Sequence, residues 1–241
     1  ADAKVLKGDY FKSLFDYEFL VRMYPGSPQF HIALEREYEV AKIFANGKYR
    51  KLWGLRIVPA YGEAEELFIR IQERSPGSGL AEMSGKELGD LYYRRGEMYL
   101  ASEAFDIFVD NYPRSQWSEY AYQRQVTANL ATFKGPRFDA TGLLEAEVRL
   151  NEFKDRYPAA AEQIGADELL VRVDESLAEK QLETAKWYDG QDMQVSATYM
   201  YGRVVTDHPK SAAAVAAMKR LEEIDPQRAA QLQAGPGVPA Q

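Results

Sequence analysis

The stretch GEMYLASEAFDIFVDNYPRS, Gly96–Ser115, is written in outline a second time near the start of the chain, as GDYFKSLFDYEFLVRMYPGS, Gly8–Ser27. In both, proline stands 17 residues after the glycine, tyrosine precedes it, and serine follows two positions later. Working outward from this pair, three more prolines carry related surroundings, giving Pro25, Pro76, Pro113, Pro158 and Pro209. Twelve residues before them stand the small residues Ser13, Ala64, Ala101, Ala146 and Ala197. Eight before them stand Tyr17, Phe68, Phe105, Leu150 and Tyr201, and five before them Leu20, Ile71, Phe108, Phe153 and Val204. Two after them come Ser27, Ser78, Ser115, Ala160 and Ser211.

Small at i, large at i+4 and large at i+7 share one face of a helix. The small residue admits a close neighbour, and the proline cannot continue the helix. A serine two residues later is a good N-cap for the next helix. Ala33, Ala121, Ala166 and Ala217, each eight past a proline, supply a second close-packing point. Such a helix pair cannot bury its apolar face alone, so the pairs must stack.

The spacing between successive prolines is 51, 37, 45 and 51 residues, longer than the roughly 34 of the tetratricopeptide repeat (TPR). The third unit follows the TPR pattern most closely, with Leu88-Gly89, Tyr92, Ala101, Phe105 and Pro113, although Gly85 stands in the tryptophan slot. The extra length falls in the glycine- and proline-containing stretches Asn46–Gly62 and Phe133–Gly142, which read as loops. Between Ala159 and Tyr188 there is one glycine and no proline, which predicts a long helix. The expected architecture is an all-α solenoid of about five TPR-like helical hairpins, wound as a right-handed superhelix, over residues 1–224. Residues 225–241, rich in Pro, Gly, Ala and Gln, read as a disordered tail. Much of the first helix of the first unit would lie before Ala1, as in a trimmed chain.

Composition narrows the function. The net charge of −7 and the absence of a basic stripe argue against nucleic-acid binding. With no cysteine, disulfides, thiolate metal sites and cysteine nucleophiles are removed. No apolar run reaches the length of a membrane span. His208 occupies the slot of Tyr24, Tyr112 and Tyr157 and reads as structural; His31 has no spaced partner. The acid runs Glu35, Glu37, Glu39 and Glu63, Glu65, Glu66 read as solvated helix faces. The segment Pro76–Gly89 fails as a phosphate loop, because five residues separate Gly79 from Gly85 and Glu87 follows Lys86. No cofactor, metal or catalytic set emerges, and the chain reads as a non-enzymatic binding scaffold.

In stacked hairpins the first helix of each pair lines the inner face, where solenoids bind. TPR geometry would bring Lys86, Asp90, Tyr93 and Arg94 of the third unit to that face, with Trp117, Tyr120 and Arg124 of the fourth. Aromatics beside arginines suit an extended peptide, combining flat apolar contact with donors for carbonyls or a carboxylate. Trp117 and Tyr120 could equally pack against the next unit.

The five hairpins, the closings Tyr24-Pro25-Gly26-Ser27 and Tyr112-Pro113-Arg114-Ser115, and the ending HPKSAAAVAAMKRL up to Leu221 resemble the BamD-type outer-membrane assembly lipoproteins. The insertion FKGPRFDATGLLEAE, Phe133–Glu147, is similar to one in a divergent branch of that family. The resemblance covers most of residues 3–224. It implies a lipoprotein on the periplasmic side of the outer membrane, anchored through a cysteine that would precede Ala1. It also implies docking on the periplasmic domains of a barrel-assembling membrane protein and contact with unfolded barrel precursors. The alternatives are a periplasmic coordinator of cell-wall synthesis, a cytoplasmic TPR adaptor, and a carboxylate-based hydrolase, for which no acid pair stands out.

Overall fold

The computed structural model describes residues 1–52 and 55–234, and for 49–58 only the backbone course. The repeat columns become helices in the expected places. Five helices end just before the five repeat prolines: α2 (Tyr10–Met23), α4 (Tyr61–Arg74), α6 (Met98–Asn111), α8 (Thr141–Arg156) and α11 (Gln194–Asp207). They alternate with α3 (Gln29–Ala45), α5 (Gly79–Arg95), α7 (Ser118–Thr132), α10 (Ala166–Gly190) and α12 (Ala212–Ile224). Short helices α1 (Asp2–Leu6), α9 (Pro158–Gln163) and α13 (Pro226–Gln233) complete the described helices.

The closing is the same piece of backbone written five times. Tyr24, Ser75, Tyr112, Tyr157 and His208 all adopt φ between −138° and −128° and ψ between 55° and 62°. Each donates its N–H to the carbonyl four residues back, at 2.7–3.1 Å. The following proline excludes the helical conformation at these residues, so the chain leaves the helix while keeping that last bond. His208 therefore does a tyrosine's work in the fifth closing.

The column residues are the core. Ser13, Ala64, Ala101, Ala146 and Ala197 are buried, as are the large residues eight before each proline and all of the next column except half-buried Leu20. The cap column holds in part. Ser78 and Ser211 accept from the backbone N–H groups of Ala81 and Ala214 at 3.1 and 3.0 Å. Ser27 caps nothing, because Pro28 occupies the N-cap position of α3. Ser115 accepts from Trp117 N–H at 2.9 Å, one turn before α7 begins.

The chain forms two compact units, Ala1–Ala128 and Asn129 onward. In the first, α3 packs on α2, α4 and α5, and α5 packs on α6. In the second, α10 packs on α8, α11 and α12. Each unit is a stack of TPR-like hairpins.

Three stretches differ from the sequence reading. The insertion expected as a loop carries an antiparallel β-hairpin, β1 (Tyr49–Leu52) and β2 (Leu55–Pro59), with Tyr49 opposite Pro59. The run Leu55-Arg-Ile-Val ends in two adjacent β-branched residues, which favour extended backbone. The long helix expected between Ala159 and Tyr188 begins only at Ala166, because Gly165 takes a left-handed conformation at φ 66°. The supposed tail opens with α13: Asp225 accepts from Arg228 N–H at 3.0 Å, Pro226 fills the first turn, and Ala229 and Leu232 join the core of the second unit. The rest of that tail, 235–241, lies outside the described residues.

Candidate functional site

Six of the seven residues expected on the inner face meet in the first unit. The two elements are α5 and the first part of α7, held by the Gly89–Phe105 contact beneath: a Cβ on Gly89 would lie 2.7 Å from the Phe105 ring, so only glycine lets α6 this close. On α5, Lys86 and Asp90 are one turn apart and pair at 2.8 Å. Tyr120 reaches across from α7 and donates its hydroxyl to Asp90 Oδ1 at 2.5 Å. Arg124 donates to the Tyr120 hydroxyl oxygen at 3.0 Å and lays its guanidinium over Tyr93, 4.5 Å from the ring centre. The Lys86 ammonium sits 5.2 Å from the Trp117 ring centre and 5.4 Å from that of Tyr120.

The electrostatics follow from this geometry. Asp90 is buried and is satisfied by one ammonium and one phenol. Burial opposes the charge of Lys86, but the bond and charge of Asp90 together with the charge of Glu87 outweigh this, and the ammonium is held more firmly protonated than usual. Burial, then Asp90, push the Tyr120 phenol upward, so it remains a donor. The open choice for the two aromatics resolves differently for each. Tyr120 packs its edge on Phe105 at 6.2 Å and is half-buried, whereas Trp117 remains 37% exposed at the rim. Arg94, the seventh residue, is exposed and makes no ion pair or ring contact among the described residues. The cluster thus offers an indole face, a tyrosine under a guanidinium, and a free arginine within two helices.

Two features escaped the sequence reading. Glu37 belongs to no solvated face: it is 0% exposed, because Ala33, Glu37, Ala41 and Phe44 form the buried stripe of α3. Arg74 of α4 donates to Glu37 at 3.3 Å and to Glu18 of α2 at 2.6 Å. Burial pushes the Glu37 carboxyl up to about 7, against the pull of Arg74. The four-residue spacing from Ala33 to Glu37 to Ala41 was the available signal. The second feature is an apolar groove of about 290 Å³ whose floor is Gly85, Leu88 and Tyr92 and whose walls are Ile69 of α4 and Ile107 of α6.

His208 is buried and its Nδ1 lies 2.6 Å from Asp174 of α10, tying the fifth closing to the neighbouring helix. Among the described residues no group of three His, Cys, Asp or Glu side chains converges as metal ligands would. No described helix is long and apolar enough to cross a membrane.

A search among curated proteins found no match. A family model described as YfiO, outer membrane lipoprotein, matches residues 58–234, which include α4 to α12 and the whole α5–α7 cluster. With most of its length matched in this way, and with the repeat closings in register throughout, the chain belongs to the YfiO family of outer membrane lipoproteins.

Proposed function

We propose that this protein is a non-catalytic scaffold of outer-membrane protein assembly, of the BamD type, working at the periplasmic face of the outer membrane. Family membership supplies the envelope setting. The observation that carries the binding role is the α5–α7 cluster, in which Trp117 is presented at the rim while Tyr93, Tyr120 and Arg124 are already locked together. A preformed aromatic and guanidinium surface loses little side-chain freedom when a partner lands on it. It suits an extended apolar segment, with Arg94 free to pair with a carboxylate or carbonyl. Unfolded barrel precursors, built of alternating apolar strands, have that chemistry, and the periplasmic domains of a barrel-assembling protein are the second partner. The likeness of the insertion Phe133–Glu147 to one in a divergent branch of the family supports membership of that branch.

The reading is tested by affinity capture of the tagged protein from crosslinked cell envelopes, with partners identified by mass spectrometry. An outer-membrane barrel protein with periplasmic repeat domains is the expected partner, with precursor capture reduced by Arg94→Ala and Trp117→Ala. Recovery of cytoplasmic proteins alone would overturn it.

A further inference from the structure

The outer face of α2 differs in chemistry from the same face of every other closing helix. Phe15, Phe19 and Met23, four residues apart, are 76%, 54% and 60% exposed. Tyr24 joins them, its ring 6.3 Å edge-on from Phe19. The opposite face of α2 is already used, burying Ser13, Tyr17 and Val21 in the core.

The repeat shows which direction this face points. Two residues after the small column, where α2 has Phe15, the other closing helices place Glu66, Glu103, Val148 and Tyr199, all exposed. Six after it, where α2 has Phe19, they place Arg70, Ile107, Glu152 and Arg203, of which Arg70 alone is half-buried. These positions stay largely exposed when hairpins stack, although Arg70 of α4 reaches Glu18 of α2 at 3.5 Å. The charges are inverted as well. Nine after the small column stand Glu73, Asp110 and Asp155 in α4, α6 and α8, but Arg22 in α2; one before it stand Glu63 and Glu145 in α4 and α8, but Lys12 in α2. Lys12 is held only by a 4.0 Å approach to Asp9, and Arg22 makes no ion pair or hydrogen bond among the described residues.

We infer that this face of α2 is a membrane-surface contact, lying on a phospholipid bilayer that carries anionic headgroups. Phenylalanine and methionine on a flat helix face, flanked by lysine and arginine, match a helix resting in the headgroup region. An apolar protein groove would take the same aromatic face but has no use for the flanking Lys12 and Arg22, which favour an anionic lipid surface. The net charge of −7 makes a local cationic face on the chain the more specific, since the molecule as a whole would be repelled from anionic lipid. The face lies outside the residues matched by the family model, 58–234. It is independent of the assembly reading, because it requires no protein partner.

The test is flotation of the purified chain with vesicles of phosphatidylcholine, with and without about a quarter phosphatidylglycerol. The expected result is binding to the anionic vesicles that weakens with salt. Phe15→Ala/Phe19→Ala and Lys12→Glu/Arg22→Glu should each lower it about tenfold or more, with helical content by circular dichroism unchanged. Ile107→Ala, on the equivalent face of α6, should leave it intact. Absence of binding, or binding equal in wild type and both double variants, would overturn the inference. So would a concentration-dependent dimer, lost in Phe15→Ala/Phe19→Ala, without vesicle binding.

Discussion

The Tyr120 hydroxyl donates to Asp90 Oδ1 at 2.5 Å, joining α7 to α5 at the point where the Lys86 ammonium meets the other oxygen of the same carboxylate. One buried acid therefore fixes the placement of both a cation and an aromatic ring. Tyr120→Phe should cost about 1 kcal/mol by urea unfolding, the value of one ordinary hydrogen bond. Asp90→Ala should cost more, about 1–3 kcal/mol, since it leaves the half-buried Lys86 with only the longer approach to Glu87. Equal costs for the two would show that Asp90 does not organise the cluster.

Glu37 makes stability fall as the solution becomes more alkaline. Its carboxyl is raised by burial from 4.5 to about 7, so between those values the folded chain holds a proton that the unfolded chain has released. The associated loss of stability across that interval is on the order of 3 kcal/mol. Glu18 works in the opposite sense at lower pH, because its bond to Arg74 holds it below its ordinary value and its contribution disappears on acidification. Glu37→Gln keeps the side-chain volume, and Arg74 retains Glu18. Comparing unfolding at about pH 5 and about pH 8, the variant should show the smaller drop, by roughly 2–3 kcal/mol. Parallel pH profiles would contradict the buried, protonated carboxyl.

Gly89 is required by contact and not by backbone angle. A methyl group there would strike the Phe105 ring at 2.7–2.9 Å, so Gly89→Ala should destabilise the first unit by about 1–3 kcal/mol despite the better helix propensity of alanine. Gly79→Ala serves as the control, because a Cβ at Gly79 meets nothing within 4 Å. Thermal unfolding of the pair separates the two effects.

Helix α13, Pro226–Gln233, should matter for stability. Ala229 is buried and Leu232 packs on the same cluster as Tyr201 and Leu221. Ending the chain after Asp225 should lower the unfolding free energy of the second unit by about 1–3 kcal/mol, as expected for lost apolar burial. A shortened chain as stable as the original would restore the reading of this segment as a tail.

Most of the fold was legible because its signals are repeated. One Tyr-Pro closing is weak, but five closings with Ala101-type and Phe105-type residues at fixed offsets leave little freedom. What was missed occurs once in the chain. The β1–β2 hairpin stands in one insertion, and α13 depends on the single Asp225-Pro226 start. Glu37 was hidden for a different reason: acid runs are read by composition, while its burial depends on phase relative to Ala33 and Ala41. TPR geometry gave the candidate site residues their place on α5 and α7, but not their bonding. Nothing in the spacing said that Asp90 would take both Lys86 and Tyr120, or that Arg94 would stay free.

The central claim is that the α5–α7 face receives unfolded outer-membrane precursors. The most direct measurement places a photo-crosslinking amino acid at Arg94, beside the cluster, and in a second strain at Glu103, on the exposed face of α6. Irradiated cells should give adducts to outer-membrane barrel precursors from position 94 and not from 103. No such adduct at 94, or equal adducts at both positions, would contradict the account.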